Sequence, residues 1–386
     1  MSSSAPHWFR FLHRRTAATT AVAVAVGALT VGALAPSAVA APGVARPDTV
    51  RQRLNTLVAE DGLPGALAAV RDRDGRTRNY TAGVGDVTTG AQVPVDGQVR
   101  IGSNTKTFVA VVLLQLAAEG KVDLDASVDT YLPGLVRGYG IDGRCITVRQ
   151  LLQQTSGLPN YSNYLGDDVR YFEPRELLDI ALRHKADFAP GTKWEYSNTN
   201  YVLAGLIVQQ VTGRPLAEEM DRRIIQPVGL HHTYFPAPGD ATIRESHPEG
   251  YYRDSAGTPL RDVTEIDPSW GWAAGQLIST NSDLNRFFTA LLAGRLLPPA
   301  QLAQMRTTVP ADSTFGSGAR YGLGIVSMPL SCGGLYWGHG GSFPGYETRG
   351  GATDSGRSVN VAVTMQLTDQ ASRKRVESVV DTALCR

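Results

Sequence analysis

The chain has 386 residues, a formal net charge of +1 and 42% hydrophobic residues. That balance excludes a surface charged enough to suggest nucleic-acid binding, and the length fits one large or two modest domains. The N-terminus reads as an export signal spanning residues 1–40. Arg10, Arg14 and Arg15 form a basic start, Thr16 to Leu34 is rich in Ala and Val, and Ala38-Val39-Ala40 offers a small-residue cleavage site near Ala40. A membrane anchor fits less well, because Thr, Gly and then Pro36 interrupt the apolar run. Cleavage removes three arginines and no acid, which takes the net charge to −2. No second apolar segment is long enough to span a bilayer. The mature product is expected to be secreted and to act as a monomer.

In chain order, residues 51–61 fit a helix ended by Gly62 and Pro64. Ala66–Arg73 and Thr77–Ala82 read as strands joined by a turn at Asp74-Gly75, and the stretch from Gly83 to Gly97 is turn-rich. An apolar run, Val109 to Ala118, predicts a buried helix that begins near Ser103 and ends at Gly120. Helical patterns recur at Val148–Gln154, Glu173–His184, Thr199–Val211, Pro215–Ile225 and Ser282–Leu292. From Tyr321 the pattern turns to strands: Tyr321–Met328, Leu335–Trp337, Tyr346–Ala352 and Ser358–Gln366, with a hairpin turn at Asp354-Ser355-Gly356. Gln370–Leu384 closes as a helix. Strands therefore sit at both ends, and the economical architecture is a sheet lobe (about 50–102 and 321–386) with a helical lobe inserted between them (about 103–320).

Three cysteines are present, Cys145, Cys332 and Cys385. A Cys332–Cys385 bridge would pin the last helix onto the sheet, leaving Cys145 as a buried, inert thiol. No Cys/His cluster has metal-ligand spacing, and no metal or organic cofactor is implied.

The chemistry concentrates in three short motifs. Ser103-Asn104-Thr105-Lys106 sets a serine three residues before a lysine, a spacing that shares one helix face. A desolvated lysine can take the proton from such a serine, and the helix N-terminus favours a developing oxyanion. Taken alone the tetrad also fits an N-cap serine beside a solvated lysine. Tyr196-Ser197-Asn198 and His339-Gly340-Gly341 each have a plain structural reading too, a helix start and a strand-edge turn. Their succession in this order is what carries weight.

With these motifs the sequence resembles the serine β-lactamases and penicillin-binding proteins. Within them it is most similar to the class C type and to secreted actinomycete D-alanyl-D-alanine carboxypeptidases. The resemblance runs from about residue 50 to the C-terminus and includes Gln150–Leu158 and Ala273–Thr280. It implies an α/β (α+β) fold of the β-lactamase/transpeptidase type. It also implies Ser103 as the acylated nucleophile, Lys106 as the group that holds its proton, and Tyr196 as the phenol that passes a proton to the leaving group. Lys106 and a protonated or hydrogen-bonding His339 would lower the Tyr196 pKa. Asn198 would bind the substrate amide, the N–H groups of Ser103 and Ser342 would form the oxyanion hole, and Gly340 and Gly341 would let substrate backbone lie along their strand. Trp270 reads equally as a pocket aromatic and as core packing. The substrates implied are small peptides, peptidoglycan fragments and β-lactams.

The sequence departs from the carboxypeptidase pattern at the carboxylate site. The strand Tyr321–Pro329 carries no arginine, and Gly340 stands where a hydroxyl residue is expected. Arg349 can substitute only if it faces the cleft. A D-alanyl-D-alanine carboxypeptidase is the leading expectation, ahead of a β-lactamase, a D-amino-acid peptidase or amidase, or an esterase of the same fold. A catalytically weak penicillin- or peptidoglycan-binding sensor is the alternative of another class. A Gly-x-Ser-x-Gly elbow is missing, since Pro344 occupies the last position of its nearest match, which argues against an α/β-hydrolase.

Overall fold

Helix α1 (Thr49–Asp61) starts at Asp48, whose carboxylate accepts from the Val50 N–H, and stops at Gly62 in the left-handed conformation that glycine adopts without strain. It leads into β1 (Gly65–Arg71) and β2 (Thr77–Gly83). The structure is a computed structural model in which residues 48–166, 170–255, 257–367 and 369–385 are described. The expected export signal, residues 1–40, lies outside the described residues. No helix among the described residues is long and apolar enough to cross a membrane.

The remaining strands of the main sheet come from the C-terminal part of the chain. They are β3 (Val309–Pro310), β4 (Arg320–Tyr321), β5 (Val326–Pro329), β6 (Leu335–Gly338), β7 (Gly341–Phe343), β8 (Tyr346–Thr353) and β9 (Ser358–Val363). The order is β2-β1-β9-β8-β6-β5-β4-β3, with β7 also paired to β8. All strand pairs of this sheet are antiparallel, and β1 from the N-terminal end lies beside β9 from the other, with Ala68 opposite Val361. The two ends of the chain thus build one sheet, as the strand pattern predicted.

The sequence reading differs in three places. Tyr321–Met328 is two strands, because Gly322 and Gly324 form a turn between them. The Gly324 carbonyl accepts from Thr107 Oγ1 at 2.7 Å, so the turn is pressed onto the helix that carries Lys106. The region 103–320 is not all helical: it holds two-stranded ribbons such as Tyr251–Tyr252 with Arg261–Asp262, and it contributes β3 to the sheet edge. Cys145 is exposed, not buried, because its neighbour Ile146 takes the inward direction.

On one face of the sheet lie α1 and the final helix α10 (Gln370–Leu384), packed by Leu54, Leu57, Val376 and Val380. The Cys332–Cys385 disulfide is formed and closes a separation of 53 residues. The other face meets the helical lobe. Its centre is α2 (Thr105–Ala118), in which every residue from Thr105 to Leu114 is buried. Such an all-round apolar helix belongs in a core and has no solvent face to keep. Around this centre lie α3 (Val148–Leu152), α4 (Pro174–Leu182), α5 (Asn198–Thr212), α6 (Leu216–Met220), α7 (Trp272–Gly275) and α8 (Asn281–Leu292), while the single turn α9 (Asp312–Phe315) sets Phe315 against Tyr196 and Tyr321.

Candidate active site

Ser103 lies in a 3-10 turn, Gly102–Asn104, immediately before α2. The turn is held from three sides. Asn104 Nδ2 donates to Ile101 O at 3.0 Å and to Thr348 Oγ1 of β8 at 2.8 Å. Thr105 Oγ1 donates to Gly102 O at 2.8 Å and accepts from Leu277 N at 3.1 Å. Gly102 has φ +49, and a Cβ there would fall 2.7 Å from the Ser342 carbonyl oxygen, so glycine is what lets β7 close onto the nucleophile turn. This close approach brings the Ser342 main chain against Gly102, the residue before Ser103.

Lys106 is fully buried. Its Nζ donates to Ser103 Oγ at 2.9 Å and to Ala274 O at 2.7 Å, and it stands 4.8 Å from the Tyr196 ring centroid. No carboxylate among the described residues pairs with it. Burial therefore drives its pKa well below the ordinary lysine value, a shift toward the neutral amine that can accept a proton. The Ala274 carbonyl aims the amine at Ser103. The sequence reading missed this role, since a carbonyl leaves no side-chain signal.

Tyr196 lies just before α5, in a turn held by a buried polar network. Gln154 Oε1 accepts from Ser197 N at 3.0 Å and from Asn200 Nδ2 at 2.5 Å, and Asn200 Oδ1 accepts from Ser156 Oγ at 2.5 Å. Gln154 adopts φ +64, a left-handed conformation uncommon for a residue with a side chain, and such strain collects around functional sites. The Tyr196 pKa moves opposite to the sequence expectation. Burial raises it well above the ordinary tyrosine value and the Tyr321 phenol adds to that, while the Ser103 hydroxyl beside it pulls the other way. Tyr196 is a proton donor at rest.

His339 follows β6 and is 2% exposed. Its Nδ1 lies 2.5 Å from the Gly340 carbonyl, a contact that puts the proton on Nδ1. Nε2 then accepts from Tyr321 Oη at 3.1 Å. Burial first, then the Lys106 amine, push its pKa down to about 3. Burial is the larger cause, so the shift favours the neutral ring, the hydrogen-bonding one of the two forms that the sequence reading allowed. Its ring centroid is 6.3 Å from that of Tyr196, and Phe315 of α9 packs edge-on against both.

Gly340 and Gly341 serve the protein's own packing. A Cβ on Gly341 would sit 2.0 Å from the Ile101 carbonyl oxygen, and one on Gly340 would meet the Arg349 guanidinium at 2.8 Å. Their missing side chains close β7 onto the nucleophile turn and seat Arg349, where the sequence reading assigned them to substrate.

Arg349 does not face Ser103. Its neighbour Thr348 points at Asn104, and adjacent strand residues point to opposite faces. Arg349 Nη2 lies 2.5 Å from Glu347 Oε1, an ion pair without aligned hydrogen-bond geometry, and Nε lies 3.9 Å from Glu377 of α10. Arg320, on β4, is held by the Thr308 hydroxyl and carbonyl.

Asn198, the first residue of α5, donates from Nδ2 to Ser162 Oγ at 3.2 Å. Ser162 lines a cavity of about 540 Å³ together with Leu165, Tyr252, Val263, Ile266, Trp270 and Pro344. Trp270 fulfils both of its readings: it lines this cavity and stacks on Phe343 of β7 at 4.8 Å. Ser103 is not part of the lining, and the cavity abuts the site through Ser162 and Pro344. Within it Arg261 pairs with Asp254 at 2.9 Å. No group of three His, Cys, Asp or Glu among the described residues can hold a metal ion.

Comparison with known proteins places these features in a family. The family model described as Beta-lactamase matches residues 50–382, and the chain belongs to that family. A solved D-stereospecific amidohydrolase from a Streptomyces species is 40% identical, with a TM-score of 0.78 over 86% of this chain and 98% of its own. The D-amino acid amidase of Ochrobactrum anthropi SV3, in complex with L-phenylalanine amide, is 28% identical with a TM-score of 0.74, over 86% of this chain and 98% of its own. The putative penicillin-binding protein PbpX of Bacillus subtilis is 27% identical over 80% of this chain and 72% of its own length. Protein flp of Staphylococcus aureus is 28% identical over 61% of this chain, which spans about half (48%) of that relative. The protein has the fold of the serine β-lactamases and penicillin-binding proteins.

Proposed function

We propose that this member of the Beta-lactamase family hydrolyses amides of D-amino acids or short D-peptides through an acyl-enzyme on Ser103, as an exported monomer. The observation that carries the reading is the commitment of Arg349 to Glu347. A carboxypeptidase that selects a free terminal carboxylate needs an unengaged cation in the cleft, and Arg349 is already paired to Glu347. The likeness to the Streptomyces and Ochrobactrum amide hydrolases supports the same reading.

The chemistry follows from the geometry. Neutral Lys106 accepts the Ser103 hydroxyl proton as Oγ bonds to the carbonyl carbon. The resulting oxyanion is held by the main-chain N–H groups of Ser103 and Ser342. Lys106, now an ammonium against the Tyr196 ring, favours transfer of the phenol proton to the departing nitrogen, and the C–N bond breaks. Lys106 then returns its proton to Tyr196. Water, deprotonated by the same pair, hydrolyses the ester and restores Ser103. Asn198 binds the acyl amide, and the cavity beside Trp270 takes the amino-acid side chain.

The test is a matched set: D-phenylalanine amide, L-phenylalanine amide, D-alanyl-D-alanine and its C-terminal amide. The expected outcome is turnover of the D-amide at least about tenfold faster in kcat/KM than the L-amide, with no preference for the free carboxylate. Strict dependence on the free carboxylate would replace this reading with the D-alanyl-D-alanine carboxypeptidase that the motifs first suggest.

A further inference from the structure

Away from the Ser162–Trp270 cavity, the helical lobe holds a second cavity of about 560 Å³. Phe172, Phe235, Pro215, Ala217 and Trp272 give it apolar walls, and Gln276 contributes an amide. Two charged side chains at its rim are already engaged: Arg175 pairs with Asp179 at 2.9 Å, and Glu173 bonds the Tyr171 phenol. Gln276 differs. It is 3% exposed, its Nε2 donates to Pro236 O at 3.0 Å, and its Oε1 has no hydrogen-bond partner. The Pro236 contact fixes which end of the amide is oxygen. A buried acceptor without a donor is costly, and a ligand N–H that reaches it removes the cost.

The same short segment touches the nucleophile. Trp272 opens α7 at φ +32, a strained angle for a tryptophan. Two residues on, Ala274 O holds Lys106 Nζ, and Gly275 lies against Gly102, where a Cβ would be 3.6 Å from its carbonyl carbon. Gln276 N then bonds back to Trp272 O at 3.0 Å. One wall of the cavity and the anchor of the general base therefore lie within five consecutive residues, Trp272 to Gln276.

We propose that this cavity is a second ligand site, for an uncharged, largely apolar molecule that carries an N–H donor, and that its occupancy alters acylation by moving Ala274 and Lys106. The apolar walls supply burial, Gln276 Oε1 selects the donor, and α7 transmits the change.

Indole and 1-methylindole form a discriminating pair of probes. They share a shape, only indole has the N–H, and neither has an acyl carbon for Ser103. Isothermal calorimetry on the unaltered protein is expected to show indole binding about tenfold more tightly than 1-methylindole. Bound indole is expected to change the acylation rate constant at least about twofold without competing with the acyl donor. Ala217→Trp, which fills the cavity from α6, is expected to abolish the effect while leaving activity without indole unchanged. Equal affinity of the two probes, competition with the acyl donor, or indole binding retained in Ala217→Trp would each overturn the site. Unchanged acylation with indole bound would overturn the coupling. Calorimetry needs no turnover, so the outcome is independent of which amide the enzyme hydrolyses.

Discussion

The two walls of the active cleft treat positive charge in opposite ways. On the helical side Lys106 is buried without a counter-ion among the described residues, held by a hydroxyl and a carbonyl. On the sheet side Arg349 is surrounded by carboxylates, Glu347 against it and Glu377 beyond. Burial alone makes the lysine a base. Pairing makes the arginine a fixed structural charge, unavailable to substrate. The difference separates two properties that a single motif set does not distinguish: the ability to acylate a serine and the choice of which carbonyl compound is accepted.

Removing the unpaired amine is the strongest way to break the comparison. Lys106→Ala is expected to slow acylation by about 10²–10⁴-fold. Rapid-quench acylation measured beside substrate binding checks it, and a loss confined to binding would refute the role of general base. Lys106→Arg is expected to fail equally, because a guanidinium stays protonated at any working pH.

The neighbouring glycines of the sheet wall come next. Gly341→Ala drives a Cβ into the Ile101 carbonyl, so β7 must shift and carry the Ser342 N–H with it. A displacement of about 1 Å at reacting groups costs on the order of 10²-fold in kcat. Gly340→Ala meets a side chain, Arg349, where Gly341→Ala meets backbone, and its expected effect is below about tenfold. Steady-state kinetics of the pair check the ranking, and equal losses would show that both glycines contact substrate directly.

These glycines mark where the sequence stops being legible. Ser103, Lys106, Tyr196 and His339 announce themselves by order and spacing, and the structure gathers their side chains. The strand-helix-strand layout was equally readable, because alternation and a fully apolar α2 are local signals. The direction of a missing Cβ is not local: it depends on which strand lies opposite. Nor did Tyr321–Met328 show its break, since Gly322 and Gly324 matter only once α2 is packed beneath them. The sign of the Tyr196 shift was misread for a related reason, and the choice between a protonated and a neutral His339 was left open. Motif logic supplies neighbours but no burial, and burial is the dominant cause for both.

His339 gives a pH signature of intermediate size. Its folded pKa of about 3 lies below the ordinary 6.5, so between these values the unfolded chain binds a proton that the folded chain refuses. Stability therefore rises with pH across that window, by up to about 1.4 kcal/mol per unit from this group. Denaturant unfolding of the parent and His339→Gln, compared from pH 6.5 down to 4, is expected to give a shallower acid loss in the variant. Parallel curves would mean that the imidazole is not held neutral.

The disulfide carries the smallest expected effect on catalysis, and it tests whether the sheet wall is rigid by itself. Cys332 lies in the β5–β6 connection, at the opposite end of β6 from His339, and Ser331 also bonds the Asp381 carboxylate of α10. Cys332→Ala with Cys385→Ala frees a 53-residue separation in the unfolded chain and is expected to cost about 2–4 kcal/mol of stability. The pairing of β6 with β5 and β8 runs from Leu335 to Gly338 and continues to hold His339 without the bridge. Activity is therefore expected to stay within about twofold. If kcat falls in step with stability, α10 supports His339 through the Glu377–Arg349 contact, and the charged pairing on the sheet side sets catalytic geometry as well as substrate choice.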